Sequence, residues 1–198
     1  MIDLLNSALK KESIEIDSKK VEQLNIFTNK LMWWNSTHNI TGAKTKEAIV
    51  KNIIDSIYPV KFIETPNRVL DVGTGAGFPG IVLAILLENS NFILAEPINK
   101  RASFLRYIVT HLGLKGVEIF KDRVERLSDT SFDLVTSRAV TNTKLLLNLT
   151  QKISNSDTKF LFFKGERVFS EVKDLDNKYI YDIVTKGRRN YLYIKGLK

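Results

Sequence analysis

The stretch Asp71-Val72-Gly73-Thr74-Gly75-Ala76-Gly77-Phe78-Pro79-Gly80 decides the fold of this 198-residue chain. Residues 69–72, which overlap its start, form a mostly apolar run typical of a buried strand. Residues 80–87, which begin at its last glycine, favour an apolar helix. Three glycines therefore lie between a strand and a helix, where a backbone without Cβ atoms can take positive φ and approach a ligand closely. The sequence predicts a ligand-binding turn at the carboxyl end of a strand in an open α/β sheet.

Strand and helix patterns alternate through the rest of the chain. Further strands are predicted at residues 92–96, 117–120, 132–136 and 160–163, with helices at residues 100–112 and 145–153 between them. Two last strands, at residues 179–184 and 191–194, have no helix between them, which predicts an antiparallel hairpin at one edge. Because alternating β and α segments form parallel sheets with right-handed crossovers, we predict an α/β fold, a doubly wound, mostly parallel seven-stranded Rossmann-like sheet with helices on both faces.

The segment before this pattern is predicted to be helical. Asp17 or Ser18 can cap a helix whose apolar positions between residues 21 and 34 fall at helical spacing. A polar turn is predicted at residues 35–41, and a second helix is predicted to end before Pro59. We therefore divide the chain into an N-terminal helical extension, residues 1–64, and a core, residues 65–198, which form a single structural unit.

The composition excludes several kinds of chemistry. The chain has no cysteine, so it has no disulfide, no cysteine-ligated metal and no thiol nucleophile, and we expect no metal site. The N-terminus lacks a continuous apolar segment and the longest apolar run, residues 81–87, is too short for a bilayer, so we expect a cytoplasmic protein without membrane contact. The net charge of +8 favours a polyanionic partner, although many basic proteins bind no nucleic acid.

The ligand of the glycine-rich turn is either a dinucleotide or S-adenosylmethionine. The pattern G-x-G-x-x-G occurs at residues 75–80, but its first glycine lies several residues past the strand end, and starting at Gly73 places Phe78 where the third glycine belongs. Asp71 is unfavourable beside a pyrophosphate, whereas the ammonium of S-adenosylmethionine gains from a nearby carboxylate. The turn therefore favours S-adenosylmethionine over NAD, and a plain turn without a ligand is the remaining alternative.

Two later strand ends fit the same cofactor. Glu96 ends the second strand, about 20 residues after the loop, where a carboxylate suits the two ribose hydroxyls; a solvated acid is the alternative. Residues 122–125 follow the third strand, where the adenine edge lies in this fold. With Asp71, Gly73 and Gly75, these residues predict a class I S-adenosylmethionine-dependent methyltransferase.

The sequence resembles one methyltransferase family from about residue 21 to residue 194. This is the glucose-inhibited division protein B family, the bacterial ribosomal RNA small subunit methyltransferases G. The loop at residues 71–81 matches the family's signature almost letter for letter, and its Phe-Pro-Gly extension separates it from other methyltransferase loops. The other matching elements follow in order: Trp34-Asn35, Asn39-Ile40-Thr41, Ile54-Asp55-Ser56-Ile57, Lys100-Arg101, Phe104-Leu105, Arg123-Val124-Glu125, Ser137-Arg138-Ala139 and Lys164-Gly165.

The resemblance implies an activity and a set of contacts. The family methylates N7 of one guanine in 16S rRNA, so the implied partner is 16S rRNA, either free, in the small ribosomal subunit or in an assembly intermediate. The family's cofactor contacts carry over to five residues: Gly73, Phe78, Val124, Glu125 and Arg138. The sequence departs from the family at two positions where the family usually has histidine. Asn52 and Asn190 stand there, the latter in Arg188-Arg189-Asn190 for the family's E-R-H, which argues against a titratable group at position 52.

The chemistry of a guanine N7 acceptor requires no general base. N7 carries an in-plane lone pair in the neutral base, so the site needs positioning and desolvation more than proton transfer. We therefore assign no catalytic residue and expect Lys164 and Arg138 to position substrate or cofactor; for Arg138 the alternative is a salt bridge to a strand-end acid. Arg123, Lys164 and Arg189 are candidate RNA contacts, and a solvated basic face is their alternative.

Several further expectations complete the interpretation. Trp33 and Trp34 are candidates for stacking on a base, although at least one of them is expected to pack in the helical core. We expect a monomer. The rival functions are a methyltransferase of the same fold acting on a small molecule or a protein, an NAD-dependent oxidoreductase, and an RNA-binding protein without activity.

Overall fold

The computed structural model describes residues 2–128, 131–175 and 179–197, with only the backbone of Leu197. Seven strands form one sheet in the order β3-β2-β1-β4-β5-β7-β6. Strands β1 to β5 are mutually parallel, and β7 runs antiparallel to both β5 and β6. The strands are β1 (Arg68–Val72), β2 (Asn91–Ala95), β3 (Val117–Phe120), β4 (Leu134–Arg138), β5 (Lys159–Lys164), β6 (Tyr179–Lys186) and β7 (Arg189–Leu197).

The predicted doubly wound sheet and its terminal hairpin are therefore confirmed, although strand bounds differ. Strand β2 ends at Ala95, one residue before the predicted Glu96, and the fourth strand is shifted by two residues. We predicted the fourth strand at residues 132–136, so that Ser137, Arg138 and Ala139 would follow it; this boundary was wrong. The strand begins at Leu134 and continues to Arg138, because Ser137 and Arg138 still pair with Phe162 and Phe163 of β5. Arg138 is thus the last strand residue.

Helices cover both faces of the sheet. Their bounds are α1 (Ile2–Lys11), α2 (Ser18–His38), α3 (Lys46–Ile57), α4 (Gly80–Leu86), α5 (Asn99–Leu112), α6 (Thr143–Thr150) and α7 (Val168–Glu171). Asp17 caps α2 as predicted, because its side chain accepts from the Lys20 N–H. The polar turn starts later than predicted, since α2 continues to His38 and ends at Asn39 in the left-handed conformation.

Alternate side chains of the strands enter two hydrophobic clusters. In β1, Val69 packs with α1 to α5 in one cluster, whereas Leu70 and Val72 pack with α6 in the other. The helices of residues 2–57 therefore share a core with α4 and α5, and the division of the chain at residue 64 stays a prediction. Within the described ranges, no helix is both long and apolar enough to cross a membrane.

Candidate cofactor site

The glycine-rich loop leaves β1 under the end of β2. The N–H groups of Gly73 and Thr74 both donate to the carbonyl of Ala95, at 2.9 and 3.2 Å. Gly73 and Gly75 have φ of +67° and +62°, values that residues with a Cβ rarely adopt. A Cβ at Gly73 would lie 2.5 Å from Val140 Cγ2, whereas a Cβ at Gly75 would meet no atom within 4 Å. The open space beside the loop therefore lies at Gly75.

Asp71 is a fully buried acid at the base of this loop. Its Oδ2 accepts from the Gly80 N–H at 2.8 Å. Among the described residues, Asp71 Oδ1 and the hydroxyl of Thr74 are buried without a hydrogen-bond partner. Burial raises the pKa of Asp71 to about 7, although the neighbouring Thr74 hydroxyl, the Gly80 N–H and the charge of Arg138 act in the opposite direction. A buried carboxylate with an unused oxygen is suited to a cationic ligand group.

Gly80 is held against Asp71 so closely that no side chain fits there. A Cβ at Gly80 would lie 2.5 Å from Leu94 Cδ2 and 2.6 Å from Asp71 Oδ2. We expect Gly80→Ala to lower the free energy of unfolding by about 2 kcal/mol through overpacking, measured by denaturant titration. Gly165→Ala is the matched control, because its Cβ would meet nothing within 4 Å. Equal stabilities of the two variants would contradict this packing.

Glu96 follows β2 and faces the same loop. Its side chain is buried, Oε2 accepts from the Gly75 N–H at 2.9 Å and Oε1 accepts from the Ile98 N–H at 2.9 Å. Arg101 Nη1 lies 4.0 Å from Oε2. Because each carboxylate oxygen has two acceptor positions, both oxygens keep capacity for the hydroxyls of a ribose.

The matching elements Asn39-Ile40-Thr41 and Lys100-Arg101 meet beside Glu96. Lys100 Nζ donates to the carbonyls of His38 and Asn39 at 2.9 and 3.0 Å, and Arg101 Nε donates to the carbonyl of Ile40 at 3.1 Å. Asn35 Oδ1 accepts from the N–H groups of residues 40 and 41. These contacts fasten the end of α2 to the start of α5. The sequence interpretation did not assign this structural role.

Arg138, at the end of β4, lies over the ring of Phe78 with its guanidinium carbon 5.0 Å from the ring centre. Its Nη1 donates to Asn52 Oδ1 at 3.1 Å and lies 3.5 Å from Asp55 Oδ2. Arg138 therefore forms a salt bridge, but its partner Asp55 belongs to helix α3 and not, as the alternative role had predicted, to a strand end. Asn52, which stands where the family usually has histidine, acts here as a neutral acceptor.

Asp55 joins three elements and was missed as a site residue in the sequence. Its Oδ1 accepts from Arg189 Nε at 2.9 Å and from the hydroxyl of Tyr191 at 3.0 Å. Arg189 also donates to the carbonyl of Lys164 at 3.2 Å. The available signal was the position of Asp55 in the matching element at residues 54–57, but only tertiary contacts show that it connects α3 to β4 and β7.

Lys164 is at the end of β5 and is almost fully buried. Its Nζ donates to Glu171 Oε2 at 2.9 Å and to the carbonyl of Thr141 at 3.0 Å. Glu171 also accepts from the Thr143 N–H at 2.8 Å, at the first residue of α6. The ammonium therefore fastens the segment after β4 to α7, and an RNA contact of Lys164 stays a prediction.

The remaining candidates follow β3 or belong to α2. After β3, Val124 is buried and Glu125 is exposed in a short 3₁₀ turn, preceded by the exposed Arg123. Trp34 packs against Phe104 and Tyr107, whereas Trp33 is 64% exposed. The structure thus gathers the carboxyl ends of β1 to β5 at one edge of the sheet. We call the open space at this edge, beside Gly75, the crevice. Within residues 2–128, 131–175 and 179–197, no cluster of three or more His, Asp or Glu side chains could hold a metal ion.

Solved structures with this architecture include methyltransferases. A putative O-methyltransferase from Klebsiella pneumoniae matches with a TM-score of 0.65 and 14% identity, covering 98% of this chain and 95% of that one. A methyltransferase from Geobacter sulfurreducens matches with a TM-score of 0.63 and 15% identity, covering 86% and 88%. The fold is that of the class I S-adenosylmethionine-dependent methyltransferases, as predicted.

Sequence comparisons define the family within this class. The family model described as rRNA small subunit methyltransferase G matches residues 20–192. Proteins named ribosomal RNA small subunit methyltransferase G from Aliarcobacter butzleri and Wolinella succinogenes are both 42% identical, and the alignments cover 98% of this chain and 100% and 98% of theirs. The chain belongs to the rRNA small subunit methyltransferase G family. The predicted resemblance and the predicted rRNA methyltransferase class are confirmed.

Proposed function

We propose that this protein transfers the methyl group of S-adenosylmethionine to N7 of a guanine in 16S rRNA. The observation that carries the assignment is the match of residues 20–192 to the family model of rRNA small subunit methyltransferase G. The acids at this edge of the sheet have other roles in the proposal: Asp71 and Glu96 hold the cofactor, and Asp55 accepts from Arg189 and Tyr191. An acceptor that must lose a proton needs a free base close by, whereas N7 needs none.

In this proposal, the loop and the strand ends contact different parts of the cofactor. Asp71 lies at its ammonium, the open space at Gly75 takes its amino-acid portion, and Glu96 accepts from its ribose hydroxyls. Gly73 holds the loop against the end of β2, because its N–H donates to the carbonyl of Ala95. The buried Val124 and the neighbouring Glu125 lie at the adenine. The buried Phe78 supports Arg138, whose guanidinium lies over its ring.

S-adenosylmethionine supplies the methyl group as an electrophilic sulfonium, which the N7 lone pair takes without loss of a proton. The contribution of the protein is to hold the reacting atoms in line and to exclude water. Arg138 and Lys164 are positioning residues, because each is buried in a network that orders a segment at the crevice: Asn52 and Asp55 for the former, Thr141 and Glu171 for the latter.

The proposed substrate contacts are basic side chains at the same edge of the sheet. Arg123 is exposed after β3, and Arg189 is partly exposed at the start of β7. They would contact phosphates of 16S rRNA, either free, in the small subunit or in an assembly intermediate. Lys164, whose ammonium is bonded to Glu171, would act on the RNA only through the segment that it orders. We further propose that the protein acts as a monomer in the cytoplasm.

Chemical cleavage of rRNA tests the proposal directly. Borohydride followed by aniline cuts RNA at N7-methylguanosine, so 16S rRNA from the parent strain is expected to be cut at one guanine that stays intact in a strain lacking the gene. A plasmid copy of the wild-type gene should restore the cut. Identical cleavage with and without the gene would overturn the N7 assignment.

A further inference from the structure

A groove outside the cofactor crevice lies between α1, α3 and the turn that joins β6 to β7. We call it the hairpin groove; its volume is about 720 Å³. That volume falls within the range of pockets that hold small organic ligands. The cofactor loop contributes no residue to its lining, so the groove is a separate feature of the molecule.

The hairpin groove combines an apolar floor with a cationic rim. The floor includes Ala8, Val50 and Ile54, and the rim includes Lys11, Lys51 and Arg188. Within the described part of the chain, these three cations form no ion pair and no side-chain hydrogen bond. An apolar surface fits the face of a nucleobase, and free cations fit the phosphates on either side of it.

The other charged groups of the groove are mostly neutralised by each other. Lys186 pairs with Glu12 at 2.9 Å, and Arg189 pairs with Asp55 at 2.9 Å. Glu47 is the remaining acid of the lining. Three free cations against one carboxylate give the rim a net positive charge, which selects an anionic occupant.

The hairpin groove shares a wall with the crevice. Asn52 and Asp55 of α3 line the groove, and the same two side chains contact Arg138 at the end of β4. The β6–β7 turn stands at the carboxyl edge of the sheet, because Asn190 pairs with Lys164, the last residue of β5. A strand whose guanine enters the crevice would therefore have its neighbouring nucleotides close to the groove.

We propose that the hairpin groove binds an unpaired nucleotide of the substrate rRNA next to the methylated guanine, with its base on the apolar floor and its phosphates at Lys11, Lys51 and Arg188. The proposal rests on the proposed function, since it concerns the same RNA strand. It adds a second contact that selects a substrate with a flexible, unpaired neighbour over a fully paired one.

Charge reversal at two free cations tests the phosphate contacts. The double variant Lys51→Glu, Arg188→Glu is expected to bind a 16S rRNA fragment containing the methylated guanine about tenfold more weakly or worse at physiological salt, with a reduced salt dependence. Its dissociation constant for S-adenosylmethionine, measured by calorimetry, should stay within about twofold of wild type. The control is Lys115→Glu, an exposed lysine before β3 at the opposite edge of the sheet. It matches each single reversal, Lys51→Glu or Arg188→Glu, in charge and should bind the fragment as wild type does.

A filled floor tests the base contact without a change in charge. Ala8→Trp should raise KM for rRNA and leave kcat and the melting temperature close to wild type. Because the chain has no cysteine, Lys51→Cys also allows one photo-cross-linker to be attached in the groove, with Lys115→Cys as its control. The groove variant should cross-link to nucleotides beside the methylated guanine.

Three results would overturn the proposal. The first is unchanged rRNA binding by the charge-reversal variant. The second is a cross-link pattern identical to that of Lys115→Cys. The third is a charge-reversal variant that methylates free rRNA normally but no longer methylates small subunits. This result would identify a ribosomal protein as the occupant of the groove. Failure of the proposed function is distinguishable, because the wild-type protein would then leave rRNA without N7-methylguanosine.

Discussion

Gly75→Ala will weaken S-adenosylmethionine binding by about 100-fold or more while the protein remains folded. The Cβ added at Gly75 meets no protein atom within 4 Å, so it enters the space that we assign to the cofactor. A clash that cannot be relieved commonly costs a few kcal/mol, which corresponds to this loss of affinity. Calorimetric titration with S-adenosylmethionine provides the measurement.

The control for this variant must carry the same backbone strain. Gly113 at the end of α5 has φ of +65°, close to the +62° of Gly75, and its Cβ would also meet nothing within 4 Å. Both alanine variants should lose about 1 kcal/mol of stability, but Gly113→Ala should bind the cofactor as wild type does. Equal cofactor affinities would remove Gly75 from the site. We also expect Gly73→Val to abolish binding. It is a poorer test, because its Cβ would lie 2.5 Å from Val140 Cγ2 and would therefore disturb the protein itself.

Asp71→Asn will weaken S-adenosylmethionine binding by about 30-fold, the value of a charge-assisted contact of about 2 kcal/mol. In the wild type, burial raises the pKa of Asp71 to about 7, so the acid is increasingly protonated below that pH and the attraction to the ammonium is lost. Wild-type affinity should therefore fall by about tenfold per pH unit below 7. The affinity of the asparagine variant should be nearly flat between pH 7.5 and 5.5, and a wild-type affinity equal at both values would contradict the contact.

The same substitution is expected to affect stability in the opposite direction. Burial favours the protonated form of Asp71, so the folded protein holds this proton over a pH range where the unfolded chain, with a pKa near 3.8, has released it. The contribution of Asp71 to the free energy of unfolding is thus fully present at low pH and is lost as the pH rises from about 4 to about 7, by at most about 4 kcal/mol. Asp71→Asn should therefore be at least as stable as wild type at pH 8 in denaturant titrations, because its amide still accepts from the Gly80 N–H. A much less stable variant would contradict this account.

Local patterns were sufficient for most of the architecture. Short apolar runs bounded by turns predicted all seven strands, and the absence of a helix before β7 predicted the terminal hairpin. The end of β4 was wrong because Ser137 and Arg138 carry polar side chains that resemble a loop, while their backbone groups still pair with β5. Strand ends depend on the neighbouring strand, which lies more than 20 residues away in the sequence.

In the glycine-rich loop, too, the local sequence predicted one part of the site and only the tertiary structure showed the other. Glycine spacing and Asp71 together indicated S-adenosylmethionine from residues within ten positions of each other. The environment of Asp71 was not predictable in this way, because its full burial is a result of tertiary packing, in which Gly80 and Leu94 of β2 lie against it. A pattern of residue types does not contain the burial that raises the pKa of Asp71.

The sequence by itself determined the class of this protein, its family and the loop that we propose to bind the cofactor, because these depend on residue types at short, regular spacing. Only the tertiary structure decided what the basic and acidic side chains do. Lys164 and Arg138 are held by Glu171 and Asp55, whereas Lys51 and Arg188, which are far apart in the sequence, line one groove and have no ion-pair partner among the described residues. Charges interact through distance and burial, and folding sets both.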